Sequence, residues 1–317
     1  MKSINQFTIT IAMLMVIAML TQCKNIPTNI PELFQGEKDY RRNINILFDV
    51  SNSISEKQLN SYITAVEIAF KNLGARDKLS IGVIDKGSYS DPASVLRVDL
   101  LKVKTYDDLP FGYNKKVISA TDTAWAGPPF HRPEEMMEAN GKARMEKRLE
   151  HFKAYALPHI RPMLLRMFAE RKPYADRSNI LWAIRNVQSD LEKDESKLLL
   201  DHDLRPHNYL IILSDMIQTD DEISFNKPMG ILRADAEQLL KRIAGANQLP
   251  ALGGANVICL GRATSSIIKT EEGVQRVADF WTEYFGSKYT NGRLVAYEST
   301  DKSDKLSDWL NEWSANK

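Results

Sequence analysis

The sequence has few cysteines and almost no surplus of charge. It contains 2 cysteines in 317 residues, and its 42 basic and 41 acidic side chains leave a formal net charge of +1. Proteins that bind nucleic acid usually carry a basic surface, so we expect no nucleic-acid partner. The sequence also has no recognisable Cys/His zinc spacing, phosphate-binding loop or Ser-His-Asp arrangement, so none of these common catalytic or metal sites is expected.

The N-terminal segment predicts export from the cytoplasm. Lys2 precedes an almost uninterrupted apolar run over residues 7–20. This run has the length of a signal-peptide core and is short for a membrane-spanning helix. It leads to Cys23, and this arrangement resembles a bacterial lipobox, in which the cysteine is diacylated and becomes the new N-terminus. Gln22 departs from that pattern, because Gly, Ala or Ser is usual there. An uncleaved N-terminal anchor is the alternative.

The lipobox resemblance implies a lipoprotein signal peptide over residues 1–22 and a lipid on Cys23. Residues 23–40 are rich in turn residues and show no periodicity, which favours a tether between lipid and domain. Loss of residues 1–22 removes one basic and no acidic side chain, so the mature chain has no net charge. Cys259 then has no partner for an intramolecular disulfide, and its apolar neighbours predict a buried side chain. We expect a location in the bacterial cell envelope, on the periplasmic or the outer side, with the chain held to a membrane by its lipid.

The remainder of the chain, residues 41–317, alternates between strand-like and helix-like segments. This alternation predicts an α/β fold, doubly wound around a mainly parallel central sheet. We interpret the chain as one domain with an insertion at about residues 105–171, and we expect the helix in that insertion to be broken or kinked at Pro158 and Pro162. The predicted strands are 43–50, 78–85, 94–103 (an edge strand), 208–214, 255–260 and 293–297, and the predicted helices are 55–72, 141–170, 179–190, 233–243, 270–285 and 303–313. Ser55, with Gln58 three residues on, predicts a capping box at the start of the first helix.

Two strand ends carry oxygen-bearing side chains. The first strand is followed by Asp49, Ser51 and Ser53 in the pattern Asp-x-Ser-x-Ser, directly before a helix. The strongest strand signal is followed by Asp215. In doubly wound sheets, ligands bind beyond the carboxyl ends of the strands, near the point where the strand order reverses. Carboxylates and hydroxyls form an all-oxygen set that suits a hard cation such as Mg²⁺. The pattern alone also fits an ordinary turn and helix cap.

These residues resemble the metal ion-dependent adhesion site of the von Willebrand factor A (vWA) family. That family has Asp-x-Ser-x-Ser after its first strand, a Thr in a loop before a helix, and an Asp after its fourth strand. Asp49, Ser51, Ser53 and Asp215 match residue for residue. The Thr position falls on Ser178, which keeps the hydroxyl, while Arg177 stands where Gly is common. The resemblance implies a Rossmann-like vWA fold, with Ser178 as the weakest match of the set.

The vWA resemblance implies a binding protein and not an enzyme. Mg²⁺, or Mn²⁺ or Ca²⁺ in its place, would be held by Asp49, Ser51, Ser53, Ser178 and Asp215, and its open position would take an acidic residue of a protein partner. Two alternatives remain open at this point. One is a structural envelope protein with a vestigial site, and the other is a metal-dependent phosphoester hydrolase, which lacks a visible general base in the sequence.

Overall fold

The computed structural model describes residues 40–88, 94–99, 139–191, 205–219, 223–262, 268, 270–286 and 288–315. The predicted signal peptide, the lipidation site Cys23 and nearly all of the predicted tether lie outside the described residues, as does the stretch 105–138 of the predicted insertion. Across the described residues, no helix combines the length and the apolar character needed to cross a membrane.

Six strands form one mixed sheet in the order β3-β2-β1-β4-β5-β6. All neighbouring pairs are parallel except β2 with β3, which is antiparallel and places β3 at one edge of the sheet. From β1, the chain adds β2 and β3 toward one edge of the sheet. It then returns to the centre, where β4 pairs with the other side of β1, and adds β5 and β6 toward the other edge. The strands are β1 (Tyr40–Asp49), β2 (Lys78–Ile84), β3 (Ser94–Asp99), β4 (Arg205–Leu213), β5 (Asn256–Leu260) and β6 (Arg293–Glu298).

Successive side chains of the central strands enter two different cores. In β4, Tyr209, Ile211 and Leu213 belong to one buried cluster, while Leu210 and Ile212 belong to the other. Side chains alternate between the two faces of a strand, so a strand that is apolar at every position must be covered on both faces. This explains why β4 gives the strongest strand signal in the sequence.

Six α-helices among the described residues cover these two faces. One face packs against α1 (Glu56–Lys71), α2 (Ala139–Arg171) and α6 (Leu306–Ala315), and the other packs against α3 (Ile180–Val187), α4 (Arg233–Gly245) and α5 (Glu271–Phe285). Helices on both faces of a mostly parallel sheet confirm the predicted α/β class.

Local capping explains where two of the helices begin. Ser55 precedes α1, and its hydroxyl accepts a hydrogen bond from the backbone N–H of Gln58, while the Gln58 side chain accepts one from the backbone N–H of Ser55. This reciprocal pair is the capping box that the sequence predicts. Thr270 caps α5 with one hydrogen bond, which its hydroxyl accepts from the backbone N–H of Gly273.

The predicted insertion helix is not broken, because α2 runs from Ala139 to Arg171 with Pro158 and Pro162 inside it, while the alternative of a kink at these prolines stays a prediction. Each interior proline removes one backbone hydrogen bond and crowds the preceding turn. The helix continues past both because one of its faces is fully buried, and tertiary packing outweighs local propensity. That face consists of Phe152, Ala156, Ile160, Leu164 and Met167.

Candidate metal centre

The residues singled out from the sequence lie at the carboxyl ends of the two central strands. Asp49 is the last residue of β1, and Asp215 follows β4 by two positions. β1 and β4 pair in parallel with Phe48 opposite Leu213, so both strands end at the same level. The strand order reverses between β1 and β4, because β2 and β3 lie on one side of this pair and β5 and β6 lie on the other. The carboxyl ends of β1 and β4 therefore form the topological switch point.

The Asp49 carboxylate is fully buried and is surrounded by hydrogen-bond donors. Its Oδ1 atom accepts from the backbone N–H of Ser51 at 2.8 Å, and its Oδ2 atom accepts from the Ser214 hydroxyl at 2.6 Å. The Ser178 hydroxyl lies 3.3 Å from both oxygens. Asp49 therefore positions the backbone of Ser51, the hydroxyl of Ser214 and the hydroxyl of Ser178, which belong to three different loops.

Ser51, Ser53 and Asp215 form a short chain of oxygen atoms. The Ser51 and Ser53 hydroxyl oxygens are 2.8 Å apart, and the Ser53 hydroxyl donates to Asp215 Oδ2 at 3.2 Å. Either hydroxyl can be the donor between Ser51 and Ser53. The other Asp215 oxygen accepts from the backbone N–H of Ile217 at 2.9 Å, which fixes the orientation of the carboxylate.

The loop that carries Ser178 is tied to the loop after β4. The backbone N–H of Ser178 donates to the Thr219 hydroxyl at 2.8 Å, and the backbone N–H of Thr219 donates to the Ser178 carbonyl at 2.9 Å. The Gln218 side chain accepts from the backbone N–H of Leu181 at 3.1 Å. Because of these contacts, a movement of the Ser178 loop requires a movement of the loop that holds Asp215.

Burial raises the pKa values of both Asp49 and Asp215. Burial raises the pKa of Asp49 against the opposing effect of its hydrogen bonds from Ser214, Ser51 and Ser178. Burial, followed by the negative charge of Asp49, raises the pKa of Asp215 to about 7. Among the described residues, no basic side chain forms an ion pair with either carboxylate. A cation held between Asp49 and Asp215 would offset the electrostatic cost of burying two negative charges side by side.

The donor set fits a hard divalent cation. Mg²⁺ prefers six oxygen ligands in an octahedron at about 2.0–2.1 Å, so adjacent ligands are about 3 Å apart. The oxygen–oxygen distances of 2.8 Å between Ser51 and Ser53 and of 3.2 Å between Ser53 and Asp215 are compatible with that separation of adjacent ligands. No cluster of three or more His, Cys, Asp or Glu residues occurs in the described part of the chain. Hydroxyl groups therefore have to complete any ligand set at this position.

Sequence reasoning missed two residues that organise the site. Ser214 donates to Asp49 and accepts from the backbone N–H of Met216 at 3.0 Å, so it links β1 to the turn after β4. Thr219 positions Ser178. The sequence contained a signal for Ser214, because a serine directly before Asp215 lies at the same strand end. It contained none for Thr219, whose role depends on a contact across 41 positions.

A glycine after β5 allows close packing behind the site. At Gly261, with φ of +126°, an added Cβ would lie 2.2 Å from the Ser214 carbonyl oxygen and 2.3 Å from the Tyr62 hydroxyl oxygen. Those distances are impossible for a real Cβ, so only glycine fits without a shift of the chain. The backbone that precedes Asp215 is thus held between β5 and α1.

A cavity of about 820 Å³ opens above these residues. Ser51, Ser178 and Asp215 are almost inaccessible to solvent and lie at its floor, while its walls come from the first turns of α1 and from the segments 175–178, 215–219 and 299–301. The volume lies within the range of small-ligand pockets. A group from another molecule can therefore enter and approach the floor.

Comparisons with known proteins do not assign the chain to a family. No family model matches it, and no curated protein sequence matches it. Among solved structures, the open form of the pilus adhesin SpaC from Lactobacillus rhamnosus GG is similar to 89% of this chain and to 30% of the adhesin, with a TM-score of 0.40 and 12% identity. The chain thus spans less than a third of the adhesin's length. A similarity at this level carries no argument about fold or function.

Proposed function

We propose that this chain is a metal-dependent binding protein of the vWA type, in which Mg²⁺ is held by Ser51, Ser53, Ser178, Asp49 and Asp215. One observation carries the proposal: three separate loops bring two buried carboxylates and three hydroxyls together at the switch point of the sheet. Mn²⁺ and Ca²⁺ are the alternative ions.

Within this proposal the five side chains have different roles. Ser51, Ser53 and Asp215 would supply oxygens to the cation directly, because their hydroxyl and carboxylate oxygens lie next to one another in the lining of the cavity. Asp49 lies deeper and orients the hydroxyl of Ser178 and the backbone of Ser51. The Mg²⁺ supplies a positive centre with an open position, which an acidic side chain of a protein partner fills. We propose no catalytic step.

The proposed location combines this domain with a lipid anchor. The lipobox-like sequence that ends at Cys23 supports acylation there, which holds the domain at a membrane of the bacterial cell envelope. In a bacterial host, Cys23→Ser should move the protein from the membrane fraction or leave an uncleaved precursor. A wild-type protein that fractionates as soluble would contradict this part of the proposal.

Calorimetric titration of the full chain with Mg²⁺, Mn²⁺ and Ca²⁺ tests the metal site directly. We expect one site per chain, a dissociation constant that rises at least tenfold in Ser51→Ala, and no measurable binding in Asp49→Ala or Asp215→Ala. Ser189→Ala, at an exposed helix end, is the matched control and should bind as the wild type does. Absence of binding heat up to millimolar metal would favour the vestigial site, and turnover of a generic phosphoester would favour the hydrolase.

A further inference from the structure

The turn after β4 contains a methionine in a left-handed backbone conformation. Met216 has a φ of 63° and is fully buried. L-amino acids other than Asn and Asp rarely adopt this conformation, because Cβ comes too close to a neighbouring carbonyl oxygen. In the described part of the chain, the other non-glycine residues with positive φ are Asn247 and Asn291. Met216 lacks the local tolerance of an asparagine, so contacts from elsewhere in the fold must hold it in place.

A hydrogen bond from Trp281 is one of these contacts. The indole N–H of Trp281, which belongs to α5, donates to the Met216 carbonyl oxygen at 2.9 Å. Both residues are 0% exposed. A buried carbonyl that loses its hydrogen-bond partner costs free energy, because no water replaces that partner. The hydrogen bond therefore favours the observed turn over any rotation that withdraws the carbonyl from the indole.

The same peptide group contacts Asp215 from its other side. The Met216 carbonyl and the Ile217 N–H belong to one planar unit, so they rotate together. The carbonyl accepts from Trp281, and the N–H donates to Asp215 Oδ1 at 2.9 Å. Rotation of this unit would break both hydrogen bonds. The other carboxylate oxygen of Asp215 accepts from the Ser53 hydroxyl at 3.2 Å, so its orientation toward Ser53 is linked to the position of the indole.

The indole of Trp281 is held in turn by the rings around it. It stacks on Phe285 with ring centroids 5.8 Å apart, and it meets Phe280 at 5.1 Å and Tyr284 at 5.4 Å edge to face. Phe225, from the segment after β4, packs on it at 6.1 Å. All four rings are buried, and close aromatic packing of this kind restricts the rotation of a side chain. The donor to Met216 is therefore fixed in direction before any ligand arrives.

We infer that Trp281 is a positioning residue of the candidate metal centre, and that it acts on Asp215 through the Met216–Ile217 peptide group. An indole has a single N–H donor, and here that donor goes to Met216, so the action on Asp215 is indirect. The expected effect on Mg²⁺ affinity rests on the proposed metal-dependent function. The effect on the turn itself does not, because the hydrogen bonds that define it need no cation.

Two substitutions remove the donor. Trp281→Phe also leaves a void among the rings, so the decisive variant is Trp281→benzothienylalanine, which keeps the shape of the indole and has sulfur in place of the N–H. Phe285→Leu is the matched control, because it disturbs the same rings on the same helix and removes no donor to the turn. Each full chain in detergent is titrated with Mg²⁺ by calorimetry and unfolded in urea. Hydrogen exchange in EDTA is followed by mass spectrometry over residues 214–219 and over β5.

We expect the dissociation constant for Mg²⁺ to rise at least fivefold in both Trp281 variants. Hydrogen exchange over residues 214–219 should become at least fivefold faster relative to exchange over β5, because the Ile217 N–H loses a fixed acceptor. Phe285→Leu should lower the stability to urea while the dissociation constant stays within twofold of the wild type. Its exchange over residues 214–219 should rise no more than its exchange over β5.

The outcomes separate this inference from the proposed function. If the wild type binds Mg²⁺, an unchanged dissociation constant in Trp281→benzothienylalanine overturns the inference. An equal rise in Phe285→Leu also overturns it and assigns the effect to general packing. If the wild type binds no metal, the proposed function is overturned, and hydrogen exchange in EDTA then decides the inference: unchanged exchange over residues 214–219 in the benzothienylalanine variant overturns it, and faster exchange supports it.

Discussion

The acidic side chains at the amino end of the central sheet and those at the carboxyl ends of β1 and β4 have different partners. At the amino end, Asp77 lies 2.7 Å from Arg42, and Asp99 lies 2.8 Å from Arg41. At the carboxyl end, Asp49 and Asp215 lie against serine hydroxyls and backbone N–H groups. The amino end is neutralised by the chain itself. At the carboxyl end, Arg171 lies 3.4 Å from Asp85, but no basic side chain of the described residues pairs with Asp49 or Asp215, and this difference is the basis of the proposed metal site.

The largest expected effect is at the amino end. Arg42→Ala leaves the carboxylate of Asp77, which is 4% exposed, without its charge partner. Removal of one partner of a buried ion pair typically costs about 3–5 kcal/mol. Urea denaturation should show a loss of this size that is the same in Mg²⁺ and in EDTA. A loss that Mg²⁺ reverses would mean that the two ends are not independent.

The next effect is stabilisation by metal at the carboxyl end. A ligand that binds only the folded state at a hundredfold excess over its dissociation constant adds about 2.7 kcal/mol. Thermal melts should therefore rise by several degrees with Mg²⁺ in the wild type and stay constant in Asp49→Ala. Equal Mg²⁺ shifts in both proteins would contradict the proposed site.

The third effect is a dependence of the melting temperature on pH, which we expect only in the metal-free protein. The raised pKa of Asp215, about 7, means that the folded state keeps a proton that the unfolded chain loses near pH 4. Stability from this group is therefore lost as the pH rises from about 4 to about 7. In EDTA, the melting temperature of the wild type relative to Asp215→Asn should fall by a few degrees across that window. A difference that does not change with pH would show that Asp215 is already ionised at pH 4.

The smallest effect concerns the rim of the cavity. Ser55→Ala removes one half of the capping box of α1 and should cost about 1 kcal/mol. Ser55 lines the cavity but contacts none of the five proposed metal-site residues in the described hydrogen bonds, so Mg²⁺ affinity should stay unchanged. Calorimetry and thermal melts on the same sample measure both quantities. A weaker Mg²⁺ affinity would extend the site to the helix cap.

The sequence predicts best the features that depend on neighbours along the chain. Near-continuous apolar runs located β1 and β4, and the spacing of Ser55 and Gln58 predicted the capping box. The proximity of Asp49, Ser53 and Asp215 also followed, because the ends of neighbouring parallel strands meet.

Features set by distant contacts were not predictable in the same way. The continuity of α2 through Pro158 depends on its packing against the sheet. The position of Ser178 depends on Thr219, and that of Asp49 depends on Ser214. The vWA assignment, the metal and the lipid stay predictions until they are measured.

The buried cysteine in β5 gives the chain a built-in reporter of unfolding. Cys259 is 0% exposed, and burial raises the pKa of its thiol far above the usual range, so the folded protein resists alkylation. If Cys23 carries a lipid, Cys259 is the single free thiol of the mature protein. β5 pairs directly with β4, so a reagent reaches the sulfur only after the centre of the sheet opens. The rate of thiol labelling thus measures how often that opening occurs, and a ligand at the carboxyl end should slow it.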